Sequence, residues 1–192
     1  DFLLARVNLD GTLDQSFGNN GIVVTNSSGF ADNLADLAIL PDGKILAAGG
    51  SGRCVVARYN PNGLLDSGYG AGGLFIMDTG FFTRCNAIIV QIDGKSVVSG
   101  YASNTRNHAL VARLNANGIL DNTFAGTGFL ISNVSQTSWD YFTDIALQPD
   151  GKILATGRSG ANDNYDFAVA RFTATGAADL SFATGGVSLS VS

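Results

Sequence analysis

Glutamate is missing from this 192-residue chain: all sixteen acidic residues are aspartate, lysine occurs only at Lys44, Lys95 and Lys152, and methionine only at Met77. Glu, Lys and Met are strong helix formers because their unbranched side chains lose little freedom in a helix. Their scarcity, beside 25 glycines and many Asn, Ser, Thr and Val, argues against helices of any length. It suits short strands joined by tight turns. Charge is also sparse, 14% of residues with a formal net of −5. No Lys/Arg cluster exists to displace counterions, so nucleic acid is not an expected partner, and an anionic membrane surface is disfavoured for the same reason. No apolar run approaches the roughly 20 residues that cross a bilayer, so no membrane insertion is expected. The chain opens on Asp1 rather than Met; no signal peptide is expected within it, and it is expected to begin partway through something longer or processed.

Catalytic equipment is equally thin. The single histidine, His108, offers no Ser-His-Asp set. Aspartates without Glu or a defined separation do not point to glycosidase chemistry. Glycine-rich stretches precede strands rather than helices, which disfavours a phosphate cradle. No enzymatic activity and no cofactor are expected. The two cysteines, Cys54 and Cys85, lie 31 residues apart with no second pair to make a zinc site. They are either buried small apolar residues or one bridge between neighbouring units in an oxidising compartment.

Against these absences stands an internal repeat. Phe2-Leu3-Leu4-Ala5-Arg6-Val7-Asn8 returns from Cys54, from Ala109 and from Phe167, at spacings of 52, 55 and 58 residues. Twelve residues after each start comes an aspartate (Asp14, Asp66, Asp121, Asp179), fifteen after an aromatic (Phe17, Tyr69, Phe124, Phe182), and nineteen after a glycine (Gly21, Gly73, Gly128, Gly186). Three copies carry Asp-Gly-Lys, at Asp42, Asp93 and Asp150, between apolar runs. Asp-Gly between such runs signals a hairpin, since glycine accepts the positive φ of a tight turn. Each unit therefore reads as four strands: one before Asp-Gly-Lys, one after it, the apolar-Ala-Arg segment, and one after the late glycine (22–25, 74–77, 129–132, 187–191). The runs are apolar on both faces, so both faces of each sheet should be covered. Four-stranded antiparallel sheets stacked face to face satisfy this, and the predicted fold is an all-β propeller.

The pattern apolar-x-x-Ala-Arg-x-Asn-x-[Asp/Asn]-Gly-x-Leu-Asp-x-x-[Phe/Tyr]-Gly, followed by Leu-x-Pro-Asp-Gly-Lys-Ile-Leu, resembles the bacterial delta-60 repeat family. The resemblance covers essentially the whole chain and weakens in the last unit, where Thr173, Thr175 and Ala178 replace the usual Asn, Asp/Asn and Leu. It implies a β-propeller of a secreted or surface-associated bacterial protein, and it carries over no catalytic residues.

By analogy with related propellers, the strand before Asp-Gly-Lys is placed innermost. Residues 1–192 then form one repeat array: an outer hairpin (1–26) and three blades (31–79, 83–132, 142–192), about three and a half in all. Closed rings typically need at least four blades, so the array is open. It is expected either to be part of a longer chain that completes a ring or to assemble through its open ends.

Structural pairs are expected between Arg6 and Asp14, Arg58 and Asp66, Arg113 and Asp121, and Arg171 and Asp179, bidentate or nearly so, pinning the loop after the third strand. The Asn-x-[Asp/Asn]-Gly-x-x-Asp segments (from Asn8, Asn60 and Asn115) superficially resemble calcium loops. They lack the dense carboxylates of an EF-hand and read as Asx turns, with no metal expected. All length variation falls on one face of the ring, in loops 51–53, 101–108 and 158–166 and 27–33, 79–84 and 133–141. These carry Phe30, Phe81, Phe82, Arg84, Tyr101, Arg106, His108, Trp139, Tyr141, Arg158 and Tyr165. Aromatics and arginines on loops above a rigid scaffold suit recognition, although Phe82, Trp139 and Tyr141 could equally wedge between blades as packing. The expected role is a non-catalytic extracellular or cell-surface module that binds a protein or glycan there. The alternative is a structural spacer or self-assembling subunit whose partners are further copies of itself.

Overall fold

The computed structural model describes residues 1–27, 32–132, 134, 139–161 and 164–190. Phe30 and Val191 lie outside them. Fourteen strands run in chain order: β1 (Phe2–Ala5), β2 (Ile22–Thr25), β3 (Leu34–Ile39), β4 (Ile45–Gly49), β5 (Val55–Tyr59), β6 (Leu74–Ile76), β7 (Phe82–Val90), β8 (Ser96–Ser103), β9 (Asn107–Leu114), β10 (Phe129–Ser132), β11 (Trp139–Leu147), β12 (Ile153–Ala161), β13 (Asn164–Phe172) and β14 (Val187–Ser190). They form one two-stranded sheet, β1-β2, and three four-stranded antiparallel meanders, β3-β4-β5-β6, β7-β8-β9-β10 and β11-β12-β13-β14. Among the described residues no helix is long and apolar enough to cross a membrane.

Each Asp-Gly-Lys closes the first hairpin of a blade. The amides of Gly43, Gly94 and Gly151 donate to Leu40, Gln91 and Gln148, with the glycines at φ of 80°, 81° and 82°. Successive sheets stack through their alternating faces, as period-two geometry requires. In the first complete blade Ala47, Val55, Ala57 and Tyr59 pack back onto Phe2, Leu4 and Phe17. The intervening Leu46, Ala48 and Val56 pack forward onto Ile88, Val98 and Leu110. In the next blade Ala87, Val97, Ala109 and Val111 pack forward onto Phe142, Ile145, Ile153 and Phe172.

Burial follows the neighbours. β5 and β9, with a blade on each side, are buried almost throughout, whereas β1 alternates buried and exposed. Leu3 (62% exposed) marks the bare face at one end and Phe167 (59%) that at the other. β7 lies against β3 and β4, and β11 against β7, β8 and β9, which puts the strands before Asp-Gly-Lys on the inner side. Backbone-directed hydrogen bonds link these inner strands: Ile88 N–H donates to Asp36 Oδ2 (2.9 Å) and Asn86 Nδ2 to the Phe142 carbonyl (2.7 Å).

Cys54, at the entry to β5, and Cys85, on β7 of the next blade, form a disulfide with both residues fully buried. Of the two readings the sequence left open, the structure takes the bridge. It fastens the two blades where Thr83 also accommodates them, its hydroxyl accepting from Cys54 N–H (2.8 Å) and its amide donating to Gly52 (3.0 Å).

Candidate functional site

Two separate constellations emerge, one inside each blade joint and one on the variable face. In the joint, every expected arginine meets its aspartate: Nε donates to Oδ2 at 2.8 Å in Arg6–Asp14, Arg58–Asp66 and Arg113–Asp121, and at 2.7 Å in Arg171–Asp179. The pairs are not bidentate. The guanidinium instead branches: Nη2 of Arg6, Arg113 and Arg171 donates to the hydroxyls of Ser16, Thr123 and Ser181. Nη1 of Arg6, Arg58 and Arg113 donates to the carbonyls of Pro61, Ala116 and Ala174, each in the following unit. Oδ1 already accepts from the residue two positions on in all four units, and Nη2, the neighbour of Nε, is turned to a hydroxyl in three of them, so each pair keeps the single Nε–Oδ2 bond.

A further cation, missed in the sequence, joins each complete blade: Nζ of Lys44, Lys95 and Lys152 lies 2.9, 3.0 and 3.1 Å from Oδ2 of Asp66, Asp121 and Asp179. Its recurrence in three Asp-Gly-Lys turns was the available signal, although the separation from the aspartate varies over 22, 26 and 27 residues with the connection between. Asp14 has no such lysine, because its sheet consists only of β1 and β2. The guanidinium also lies 4.6–4.9 Å from the ring centroid of Phe17, Tyr69, Phe124 or Phe182. Burial pushes the Tyr69 phenol up to about 12. In the turn segments Asp10 Oδ1 accepts from Thr12 and Asn62 Oδ1 from Leu64, the expected Asx turns. Among the described residues no three His, Cys, Asp or Glu side chains gather as metal ligands would.

On the variable face the structure differs from the loops expected. Arg84, Tyr101, His108, Trp139, Tyr141, Arg158 and Tyr165 all lie on strands, leaving only Phe81 and Arg106 on connections. The length differences are taken up by longer ladders: β7 pairs β8 from Phe82↔Ser103 onward, and β12 pairs β13 out to Ala161↔Asn164. Extending a hairpin satisfies backbone N–H and C=O groups that a loop of equal length would leave to water.

Several predicted residues come together there. Phe82 stacks near Tyr101 (6.1 Å), Tyr101 meets Tyr141 edge-on (5.2 Å), and Tyr141 meets Tyr165 (6.2 Å), a continuous band across two blades. The Arg158 guanidinium lies against Tyr141 and Tyr165 at 4.8 and 4.5 Å. Burial, with Tyr165 close by, raises the Tyr141 phenol. Arg84, Asn86, Tyr101, Tyr141, Thr143 and Arg158 line a cleft of about 420 Å³ between the second and third blades. His108 and Phe81 stand apart from it, in a hollow of about 290 Å³ with Ala102, Asn104 and Ile131. Trp139 is 39% exposed at the start of β11 and Arg106 is exposed at the β8–β9 turn. The band is thus half packing and half surface.

Four-stranded meanders stacked on one another and joined by a repeating Arg-Asp-aromatic cluster define a repeat-built β-propeller, open at both ends among the described residues. The chain belongs to the family described as domain of unknown function (DUF5122) beta-propeller, whose model matches residues 1–17, 40–69, 91–124 and 148–182, more than half its length. Every matched segment ends at or with the joint aromatic Phe17, Tyr69, Phe124 or Phe182, so each spans its unit's Arg-Asp pair. No curated protein matches the chain.

Proposed function

We propose that the chain is a non-catalytic recognition module of a secreted or surface-attached bacterial protein, binding a protein or glycan partner at the variable end of its second and third blades. The observation that carries this reading is the band Phe82–Tyr101–Tyr141–Tyr165 with Arg158 against it, bordering a polar-rimmed cleft. Rigid aromatics with two side-chain torsions present contact area at low entropic cost, and arginine adds directional donors. Strands rather than loops hold them, which suits a preorganised site. The buried Cys54–Cys85 disulfide supports an oxidising compartment, and the resemblance to delta-60 repeats supports the bacterial surface. The test is a paired glycan array and surface-protein array probed with the wild type and a Tyr101→Ala/Arg158→Ala double variant that keeps the native far-ultraviolet circular dichroism and a cooperative unfolding transition. Binding lost in the variant supports the module, and wild-type binding that survives in it overturns the assigned face.

A second reading, a structural or self-assembling subunit, is favoured by the bare flanks. Leu3, Leu37 and Ile39 stand exposed at one end beside a hollow of about 250 Å³, and Phe167 and Leu189 at the other. Apolar sheet faces of this kind invite a covering partner.

A further inference from the structure

The joint between units has two halves, and among the described residues one unmatched half lies toward each end of the array. On the receiving side sit the aromatic, the arginine Nη1 and the amide after the aromatic; on the inserting side sits the Asn-x-[Asp/Asn]-Gly turn of the next unit. In the three internal joints the amides of Gly18, Gly70 and Ala125 donate to Asn62, Asn117 and Thr175 at 2.8 Å. The turn glycines Gly63, Gly118 and Gly176 lie so close that a Cβ would stand 3.1, 2.8 and 2.9 Å from ring carbons of Phe17, Tyr69 and Phe124. Those three rings are 1% exposed or less.

The corresponding half-joints at the ends are built in the same way and, among the described residues, have no partner half. Phe182 is only partly buried, and Ala183 after it holds φ 45°, beside 55°, 51° and 51° at Gly18, Gly70 and Ala125. Arg171 keeps its aspartate and serine contacts, but among the described residues its Nη1 meets no carbonyl. At the other end the first turn closes like its counterparts, Gly11 N–H donating to Asn8 and Asn8 N–H to Thr12. Gly11 has φ 84°, against 86°, 81° and 89° in the docked turns, and open space where its Cβ would be. Leu9 and Asp10, whose carbonyls correspond to those of Pro61 and Asn62, are exposed.

We infer that the Leu9–Gly11 turn of a second copy of this chain docks on the Phe182 flank. Its Gly11 would seat against the Phe182 ring, its Leu9 carbonyl accept from Arg171 Nη1, and its Asp10 carbonyl accept from Ala183 N–H. Both surfaces hold the docked conformation before they meet, so little ordering cost opposes the contact. The contact is heterologous, head to tail, and so propagates from copy to copy until a ring closes or a filament forms. This deepens the self-assembly reading and rests on it; the recognition face is not involved.

The test is sedimentation velocity of the 192-residue chain over a concentration series, with Gly11→Asn and Phe182→Asp variants. Asparagine tolerates positive φ better than other side chains, so Gly11→Asn keeps the turn while its Cβ collides with the ring. The wild type is expected to associate with rising concentration, and each variant alone to lose that association by about tenfold or more in apparent affinity. Mixing the two variants restores one good joint and is expected to give a 1:1 dimer that grows no further. If Phe182→Asp does not fold, Arg171→Lys, which keeps the charge but cannot reach across with Nη1, replaces it. A wild type monomeric throughout overturns both the inference and the self-assembly reading. Association unchanged in the variants, or a mixture that stays monomeric, overturns the inference alone and points to the bare Leu3–Leu37–Ile39 face.

Discussion

Arg58 and Ala116 belong to different blades, 58 residues apart, yet the guanidinium Nη1 of one donates to the carbonyl of the other at 2.5 Å. The same side chain holds Asp66 through Nε and lies on Tyr69. One arginine thus orders its own loop and receives the next unit. This explains why the repeat keeps the Arg-to-aromatic distance fixed at eleven residues while the connections on the opposite face vary.

The turn glycines give the first prediction. Gly11 and Gly118 share a backbone conformation, φ 84° and 81°, and differ in what lies beyond them: open space for Gly11, the Tyr69 ring for Gly118. Gly11→Ala should cost about 1–2 kcal/mol of unfolding free energy from left-handed strain alone. Gly118→Ala should cost a further 1–3 kcal/mol, roughly, from overpacking. Urea denaturation of the two variants reads the difference, and equal costs would refute the docked-turn account.

Removal of a single carboxylate gives the second. Asp66 accepts from Arg58, from Gly68 N–H and from Lys44. Asp66→Ala should lower stability by about 1–3 kcal/mol, because the largely buried Arg58 is left without its acceptor. Lys44→Ala should cost less than about 1 kcal/mol, since its ammonium is partly solvated and its loss leaves Asp66 with Arg58. A Lys44 effect as large as that of Asp66 would reverse this hierarchy.

The joint carboxylates also fix the acid response. Burial pushes the Asp121 carboxyl up, but hydrogen bonds from Thr123 and Lys95 and the charge of Arg113 outweigh it and hold the group well below the ordinary aspartate range. The Ser181 hydroxyl, with Lys152 and Arg171, does the same for Asp179 against a smaller burial effect, and Lys44 leads for Asp66. A carboxylate depressed in the folded state stabilises the fold above its unfolded pKa and loses that contribution as pH falls toward the folded one. Stability should therefore hold from neutrality to about pH 5 and fall below about pH 4. Asp121→Asn should be less stable at pH 7 and lose less between pH 5 and 2. Denaturation midpoints over that range check it, and parallel curves for variant and wild type would refute it.

The inside of the fold was legible in the sequence because its determinants are local and repeated. Asp42-Gly43-Lys44 marks a hairpin wherever it occurs, and Phe2, Cys54, Ala109 and Phe167 mark equivalent strands. What escaped was what one unit asks of the next. Arg58 can be paired with Asp66 from sequence spacing, but the destination of its Nη1 depends on a blade 58 residues on. Lys44, Lys95 and Lys152 escaped although they recur, because they were read as turn residues, and a turn needs only the Asp and the Gly. The variable face was misplaced onto loops for a different reason. Tyr101 and Tyr165 sit among Ser, Asn and Gly, whose turn preference is overridden when a hairpin can continue its ladder.

The disulfide permits a prediction independent of the joints. Cys54 and Cys85 close a 31-residue loop, for which the chain-entropy model gives about 3.7 kcal/mol of stabilisation. Cys54→Ala/Cys85→Ala should lower the unfolding free energy by roughly 2–4 kcal/mol. Both cysteines are fully buried, so a reductant should act on the native protein only after opening, and much faster in mild denaturant. Thiol titration along a urea series follows this, and rapid reduction without denaturant would show that the bridge is accessible.

The two arginines of the variable face should behave differently, and the difference tests which part of that face is packing and which is free to bind. Arg158 is exposed but lies against two tyrosine rings at once, and exposed cation–π contacts contribute about 0.5–1 kcal/mol each. Arg158→Ala should therefore lower stability by about 1 kcal/mol and loosen Tyr141 against Tyr165, visible as a change in near-ultraviolet circular dichroism. Arg106, exposed at the tip of the β8–β9 hairpin, has nothing comparable to lose, and Arg106→Ala should change stability by less than about 0.5 kcal/mol. Equal effects from the two would mean that the Tyr141–Arg158–Tyr165 stack does not hold its geometry in solution. The cleft between the second and third blades would then lack the rigid wall on which a preorganised site depends.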